Sequence, residues 1–228
     1  TEDSYVATTV ATVKLRGKSI GAVNWDDALQ VAHFEYDPDF QKSAIELSPL
    51  MMPLTDTIYS FPALPKGTFK GMPGMLADPL PDDFGNTLID AWLAQQGRAS
   101  ASFNPVKRLC YIGNTGIGAL EYSPAKGPRA TKSNSLNMDA LMSSAGEVLS
   151  DNSSLSASFD AQESSGSIRD ILKVGTSAGG AKAKAIIAWN PQTQEVRSGQ
   201  TDNEAGYSRW ILKFDGVKGN KDKEAADP

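Results

Sequence analysis

The sequence predicts an α+β protein in two parts, residues 1–125 and 126–228. Three observations predict it. Short apolar runs bounded by glycine, proline and asparagine turns occur near both ends of the chain, as strands do. Only two long stretches carry apolar residues at helical spacing. The segment Pro124-Ala125-Lys126-Gly127-Pro128 is the best linker in the chain, and the domain boundary is placed beside it.

Residues 6–13 and 19–23 read as a strand pair about the turn Arg16-Gly17-Lys18, and residues 31–36 continue that sheet. Proline dominates from Pro38 to Pro81, with Gly67, Gly71 and Gly74 among it, which reads as irregular packed loop. Asp82-Asp83-Phe84 opens a helix whose acidic first turn suits the helix dipole. Phe84, Leu88, Ala91, Trp92 and Leu93 form its apolar face, and Gly97 is its stop. Residues 109–112 and 119–122 read as a further β pair around Gly113 to Gly118. Residues 137–149 read as a second helix, with Met138, Leu141, Met142, Ala145 and Leu149 at helical spacing as ordinary core filling. Residues 150–167 are serine-rich and read as a mobile connection, and residues 168–173 as a short helix. A strand then ends at the turn Asn190-Pro191-Gln192-Thr193, and residues 208–214 form another. The charged stretch 218–228 is expected to fray.

Composition narrows the function classes. Hydrophobic residues make up 40% of the 228, enough for a sizeable core. No apolar run approaches the ~20 residues of a membrane span. The net charge of −5 argues against direct, non-specific nucleic-acid binding. The single cysteine, Cys110, excludes an internal disulfide framework and reads as a buried, inert thiol in a strand-like phrase. The cytoplasm is therefore the natural compartment. With one histidine, His33, and one cysteine, zinc sites and Cys–His dyads are excluded. Asp37 and Asp39 flank Pro38 and read as a turn.

The most informative stretch is Val174-Gly175-Thr176-Ser177-Ala178-Gly179-Gly180-Ala181-Lys182-Ala183-Lys184. Glycines let backbone approach a ligand closely, and successive free N–H groups form a nest for anions. Lys213 lies ~30 residues later among apolar residues. A glycine-rich hairpin followed by a strand lysine is how protein kinases hold nucleotide phosphates. The loop admits two readings: a phosphate cradle, or an ordinary surface hairpin beside lysines. Gly175 and Gly180 have P-loop spacing, but Ala181 stands where that motif needs Lys. No dinucleotide fingerprint is present, and Phe214-Asp215-Gly216 reads as a strand end and turn. Lys213 either snorkels to solvent or is held by an anionic partner, because a buried unpaired ammonium is costly.

The chain resembles the HipA-like toxin kinases, serine/threonine kinases of bacterial toxin–antitoxin systems. Besides the loop, the resemblance is carried by Tyr36-Asp37-Pro38-Asp39-Phe40 with Leu47-Ser48-Pro49-Leu50-Met51-Met52-Pro53-Leu54. It is carried also by Phe69-Lys70-Gly71-Met72-Pro73-Gly74-Met75-Leu76-Ala77-Asp78-Pro79-Leu80-Pro81-Asp82-Asp83-Phe84-Gly85-Asn86 and by Gly116-Ile117-Gly118-Ala119-Leu120-Glu121-Tyr122. Asn114-Thr115-Gly116-Ile117 departs from the family in lacking an arginine just before Gly118. The larger departure is the family's helical C-lobe, which holds the catalytic and metal-binding aspartates. The chain starts at Thr1 and stops at Pro228, about where that lobe should begin, and is expected to be a fragment.

The resemblance implies that residues 1–125 are the family's N-terminal module, packed on the β-rich kinase N-lobe that begins in 126–228. It implies ATP and Mg²⁺ as cofactors. By the same resemblance Ser177, Ala178, Gly179, Gly180, Ala181, Lys184 and Lys213 line the nucleotide site, with Lys213 as the strand lysine for the α/β-phosphates. Ser177 falls on the family's autophosphorylated serine, where added negative charge beside the ATP phosphates would be self-inhibiting; alternatively it only turns the loop. No catalytic or metal-binding residue falls in this segment. The implied partners are a helix-turn-helix antitoxin, with DNA contacted only through it, and a protein substrate, for which the family offers aminoacyl-tRNA synthetases. No membrane partner is implied. The rival expectation is a catalytically dead module that binds the antitoxin or regulates.

Overall fold

The structure is a computed structural model, and it describes residues 10–128, 135–150, 183–200 and 205–214. The protein is α+β with two antiparallel sheets. It divides into two compact units, Thr1–Leu80 with Phe103–Gly127, and Pro81–Ser102 with Pro128–Pro228. Pro81–Ser102 is thus an excursion into the second unit, for which a single boundary near residue 125 makes no provision.

The first unit is built on a four-stranded sheet of order β3-β2-β1-β4. Strands β1 (Val10–Leu15) and β2 (Lys18–Asp26) form the expected hairpin. Arg16 and Gly17 both have positive φ, 49° and 78°, the backbone that matches the twist of a two-residue hairpin. Strand β3 (Val31–Tyr36) pairs with β2. The pleat sends Val13, Ile20, Val23, Phe34 and Tyr36 into the core. Gly21 is required in β2: a Cβ would stand 2.2 Å from the Glu35 carbonyl oxygen and 2.8 Å from the Phe34 ring.

Residues 109–112 are helical, not a strand. Helix α5 (Pro105–Ile112) begins where Asn104 Oδ1 accepts from the Lys107 N–H, with Pro105 in the first turn. Val106, Leu109 and Cys110 then fall on one buried face. The helix ends at Gly113, whose φ is 59°. The expected β pair of 109–112 with 119–122 therefore does not form, and β4 (Leu120–Ser123) pairs with β1 instead. Cys110 is buried as expected, but on a helix.

The proline-rich stretch contains three single-turn helices, α1 (Pro38–Gln41), α2 (Lys66–Phe69) and α3 (Gly74–Ala77). Pro38 lies in the first turn of α1, while Pro65 and Pro73 stand immediately before α2 and α3. A fixed φ and a missing N–H cost nothing at a helix start. Phe40, Met52, Tyr59, Met72 and Leu76 carry this stretch into the core. The Tyr36 hydroxyl donates to the Met52 carbonyl at 2.9 Å and fastens it.

The second unit places helices α4 (Asp83–Gln95) and α6 (Met138–Ser150) with a three-stranded sheet of order β6-β5-β7. The strands are β5 (Lys184–Asn190), β6 (Glu195–Ser198) and β7 (Ser208–Lys213). Phe84, Leu88 and Ala91 of α4 meet Leu141 and Ala145 of α6 and Ala185 and Ile187 of β5 in one core. Trp92 packs at its margin. Met142, expected on the apolar face of α6, is instead exposed. Strand β6 has no counterpart among the expected elements. It returns from the turn after Asn190 with Gln194 at positive φ.

Candidate functional site

Lys184 opens β5 directly after the glycine-rich sequence, and its side chain is only 2% exposed. A buried ammonium is tolerated when an anion meets it. Lys184 Nζ donates to Asp82 Oδ2 at 2.5 Å, and Asp82 is itself 11% exposed. The other oxygen of that carboxylate, Oδ1, accepts from the Gly85 N–H at 2.7 Å and caps α4. One carboxylate therefore caps a helix and neutralises a strand lysine. The positive end of the helix dipole favours an anion there.

Lys213 stands directly opposite Lys184 in the β5–β7 ladder. Directly opposed residues project from the same face of a sheet, and like charges so placed repel. The repulsion is relieved on one side by Asp82 and on the other by water, because Lys213 is exposed. The apolar flanks of Lys213 do not bury it. Trp210 and Ile211 are themselves 54% and 52% exposed, so the cost of a buried Lys213 does not arise. The lysine buried at this end of the sheet is Lys184.

Of the residues expected to line a nucleotide site, the structure brings Lys184 and Lys213 together on neighbouring strands. Ser177, Ala178, Gly179, Gly180 and Ala181 lie outside the described residues, as do the connection at 151–167 and the short helix at 168–173. The sequence marks Asp82 only as a helix start. The capping signal is present, but nothing local announces its bond to a lysine 102 positions away.

Asp26, Asp37 and Cys110 have structural places. Asp26 is held below the usual carboxylate range by the Leu29 and Ala28 N–H groups and by His33, whose Nε2 is 3.8 Å from Asp26 Oδ2. Asp37 caps α1 by accepting from the Asp39 N–H. Burial pushes the Cys110 thiol up to about 11. Among the described residues no group of three or more His, Cys, Asp and Glu side chains could hold a metal ion. Nor is any helix among them long and apolar enough to cross a membrane.

The family model of the HipA N-terminal domain matches residues 11–123. No curated protein and no solved structure matches the chain.

Proposed function

Residues 11–123 belong to the HipA N-terminal domain family, and on that premise we propose that the chain is the N-terminal part of a HipA-like toxin kinase. In this reading it serves a serine/threonine kinase of a type II toxin–antitoxin system that transfers the ATP γ-phosphate to a protein serine. The observation that carries the reading beyond the family is the order of parts in the second unit. A glycine-rich sequence runs into β5, and the neighbouring strand β7 presents an exposed lysine, Lys213, at the same end.

Lys213 fits a phosphate group: its ammonium is exposed and can turn toward an anion. Lys184 is already bonded to Asp82, so its part is to fix the start of β5. ATP would supply the transferred phosphoryl group. Among the described residues no group of three or more His, Cys, Asp and Glu side chains gathers for a metal, and no step is assigned to Mg²⁺. Ser177 is the proposed regulatory phosphosite. A helix-turn-helix antitoxin, with DNA reached only through it, and a cytoplasmic protein substrate such as an aminoacyl-tRNA synthetase complete the proposal.

One observation favours a second reading. The family match ends at residue 123, before the glycine-rich sequence, which suits a module that binds the antitoxin or regulates without phosphotransfer. Calorimetric titration of ATP into the 228-residue chain separates the two. Saturable binding that weakens in Lys213→Ala supports the nucleotide reading. Absence of binding leaves the module reading. In either case the chain alone should label no acceptor from labelled ATP and Mg²⁺, because phosphoryl transfer needs a positioned base and held metal.

A further inference from the structure

We propose that the turn carrying Leu50 and the groove beside it form the interface through which two copies of this chain pair about a two-fold axis. The Met52 N–H donates to the Ser48 carbonyl at 2.8 Å and closes a turn with Leu50 at its middle. The base of this turn is pinned. Met52 is buried, and its carbonyl accepts from the Tyr36 hydroxyl at 2.9 Å. The next carbonyl, that of Pro53, accepts from the Tyr59 hydroxyl. On this base Leu50 is 92% exposed and Met51 60%. A side chain held out on a fixed turn loses little freedom when it is bound. A lone exposed leucine needs no explanation, but this one stands beside a hole of its own size.

Met51 and Met52 are also walls of an apolar groove of about 160 Å³, completed by Phe61, Leu64, Phe69 and Met75. A cavity of roughly 150 Å³ takes a benzene-sized group, so a leucine side chain fits, and methionine walls adapt to it. Knob and hole therefore lie side by side, with Leu50 outside its own groove. A two-fold axis between them sends the Leu50 of each copy into the groove of the other, the isologous contact of a closed dimer. The charges agree with this pairing. Glu46 leads into the turn, and Lys66 opens α2, the helix that brings Phe69 to the groove. Both are exposed, and neither is in an ion pair among the described residues. The axis exchanges the turn side with the helix side, so Glu46 of one copy faces the partner's Lys66. A different polypeptide that offers only a knob, or only a hole, would satisfy half of the patch.

The inference stands apart from the nucleotide reading, and its test is run without nucleotide. The 228-residue chain is followed by sedimentation velocity, at concentrations up to about 200 μM so that a weak specific contact is also seen. A concentration-dependent monomer–dimer equilibrium is expected. Leu50→Asp should weaken it at least about ten-fold. The circular dichroism spectrum and melting temperature should be kept, because the side chain is exposed. Glu46→Lys and Lys66→Glu should each weaken the dimer. The double variant, which exchanges the two charges, should recover it, a readout that unspecific apolar association would not give. A chain that stays monomeric throughout overturns the proposal. So does a dimer that Leu50→Asp leaves intact, or one that ignores the single charge variants or is not recovered in the double.

Discussion

Lys184 and Asp82 form a buried ion pair, with Nζ and Oδ2 2.5 Å apart, between residues 102 positions apart in sequence. The pair ties the start of β5 to the start of α4, two of the elements that build the second unit's core. Because the same carboxylate caps α4, the pair couples helix initiation to sheet position.

Asp82→Asn keeps a capping oxygen but removes the negative charge that meets the buried Lys184 ammonium. Breaking one side of a buried pair costs about 3–5 kcal/mol, so this variant should lose most of that in a urea unfolding series. The double variant Asp82→Asn with Lys184→Met removes both charges and should recover a large part of the loss. Equal destabilisation of the single and double variants would mean that the pair contributes nothing specific.

Lys213→Ala should leave the melting temperature nearly unchanged, because the residue is exposed at the end of β7. If Lys213 holds a phosphate, the loss of one charge-assisted hydrogen bond, about 1.5–3 kcal/mol, weakens ATP binding roughly 10- to 150-fold. Calorimetric titration of both proteins reads the ATP affinity, and differential scanning reads the melting temperature. A large fall in melting temperature would contradict the exposed position.

Burial raises the Cys110 thiol from 9.0 to about 11 and, helped by the charges of Tyr59 and Glu46, the Tyr36 phenol from 10.0 to about 12. Both groups stay protonated in the fold at pH values where the unfolded chain has begun to ionise. Their contribution is whole below the unfolded values and is lost as pH rises through the folded ones. Urea midpoints should therefore decline from about pH 9 upward, and Cys110→Ala should flatten the decline between pH 9 and 11. Native Cys110 should also resist iodoacetamide at about pH 8 and react once the protein is unfolded, as only the accessible thiolate is reactive.

Gly21→Ala would drive a methyl group into the Glu35 carbonyl oxygen at 2.2 Å, a backbone atom that cannot turn aside. Strand pairing of β2 with β3 must give way. The cost is expected to exceed the roughly 1–3 kcal/mol of ordinary overpacking. Gly67→Ala, where nothing lies within 4 Å of the added Cβ, should be close to neutral. Thermal unfolding of the two variants gives the comparison.

Much of the fold is legible in the sequence because it is fixed locally. The β1–β2 hairpin rests on a turn that needs positive φ at Arg16 and Gly17. Strand β3 falls on the apolar run 31–36 as expected. Helix α4 rests on an acidic cap and an apolar face at helical spacing. The error at 109–112 is also local. An apolar tetrapeptide suits strand and helix alike, and the deciding signal, Asn104-Pro105 at the cap, lies upstream of it.

The sequence by itself determined the caps, the tight turns, the alternation of the first sheet and the kinship of residues 11–123 with the HipA N-terminal domain. Only the tertiary structure decided that β4 joins β1, that Pro81–Ser102 packs in the second unit and that Lys184 rather than Lys213 is the buried lysine. The reason is range. Backbone preference and capping act over a few residues, whereas the burial of a charge depends on whether a distant segment brings an anion to meet it. For Lys184 that anion is Asp82.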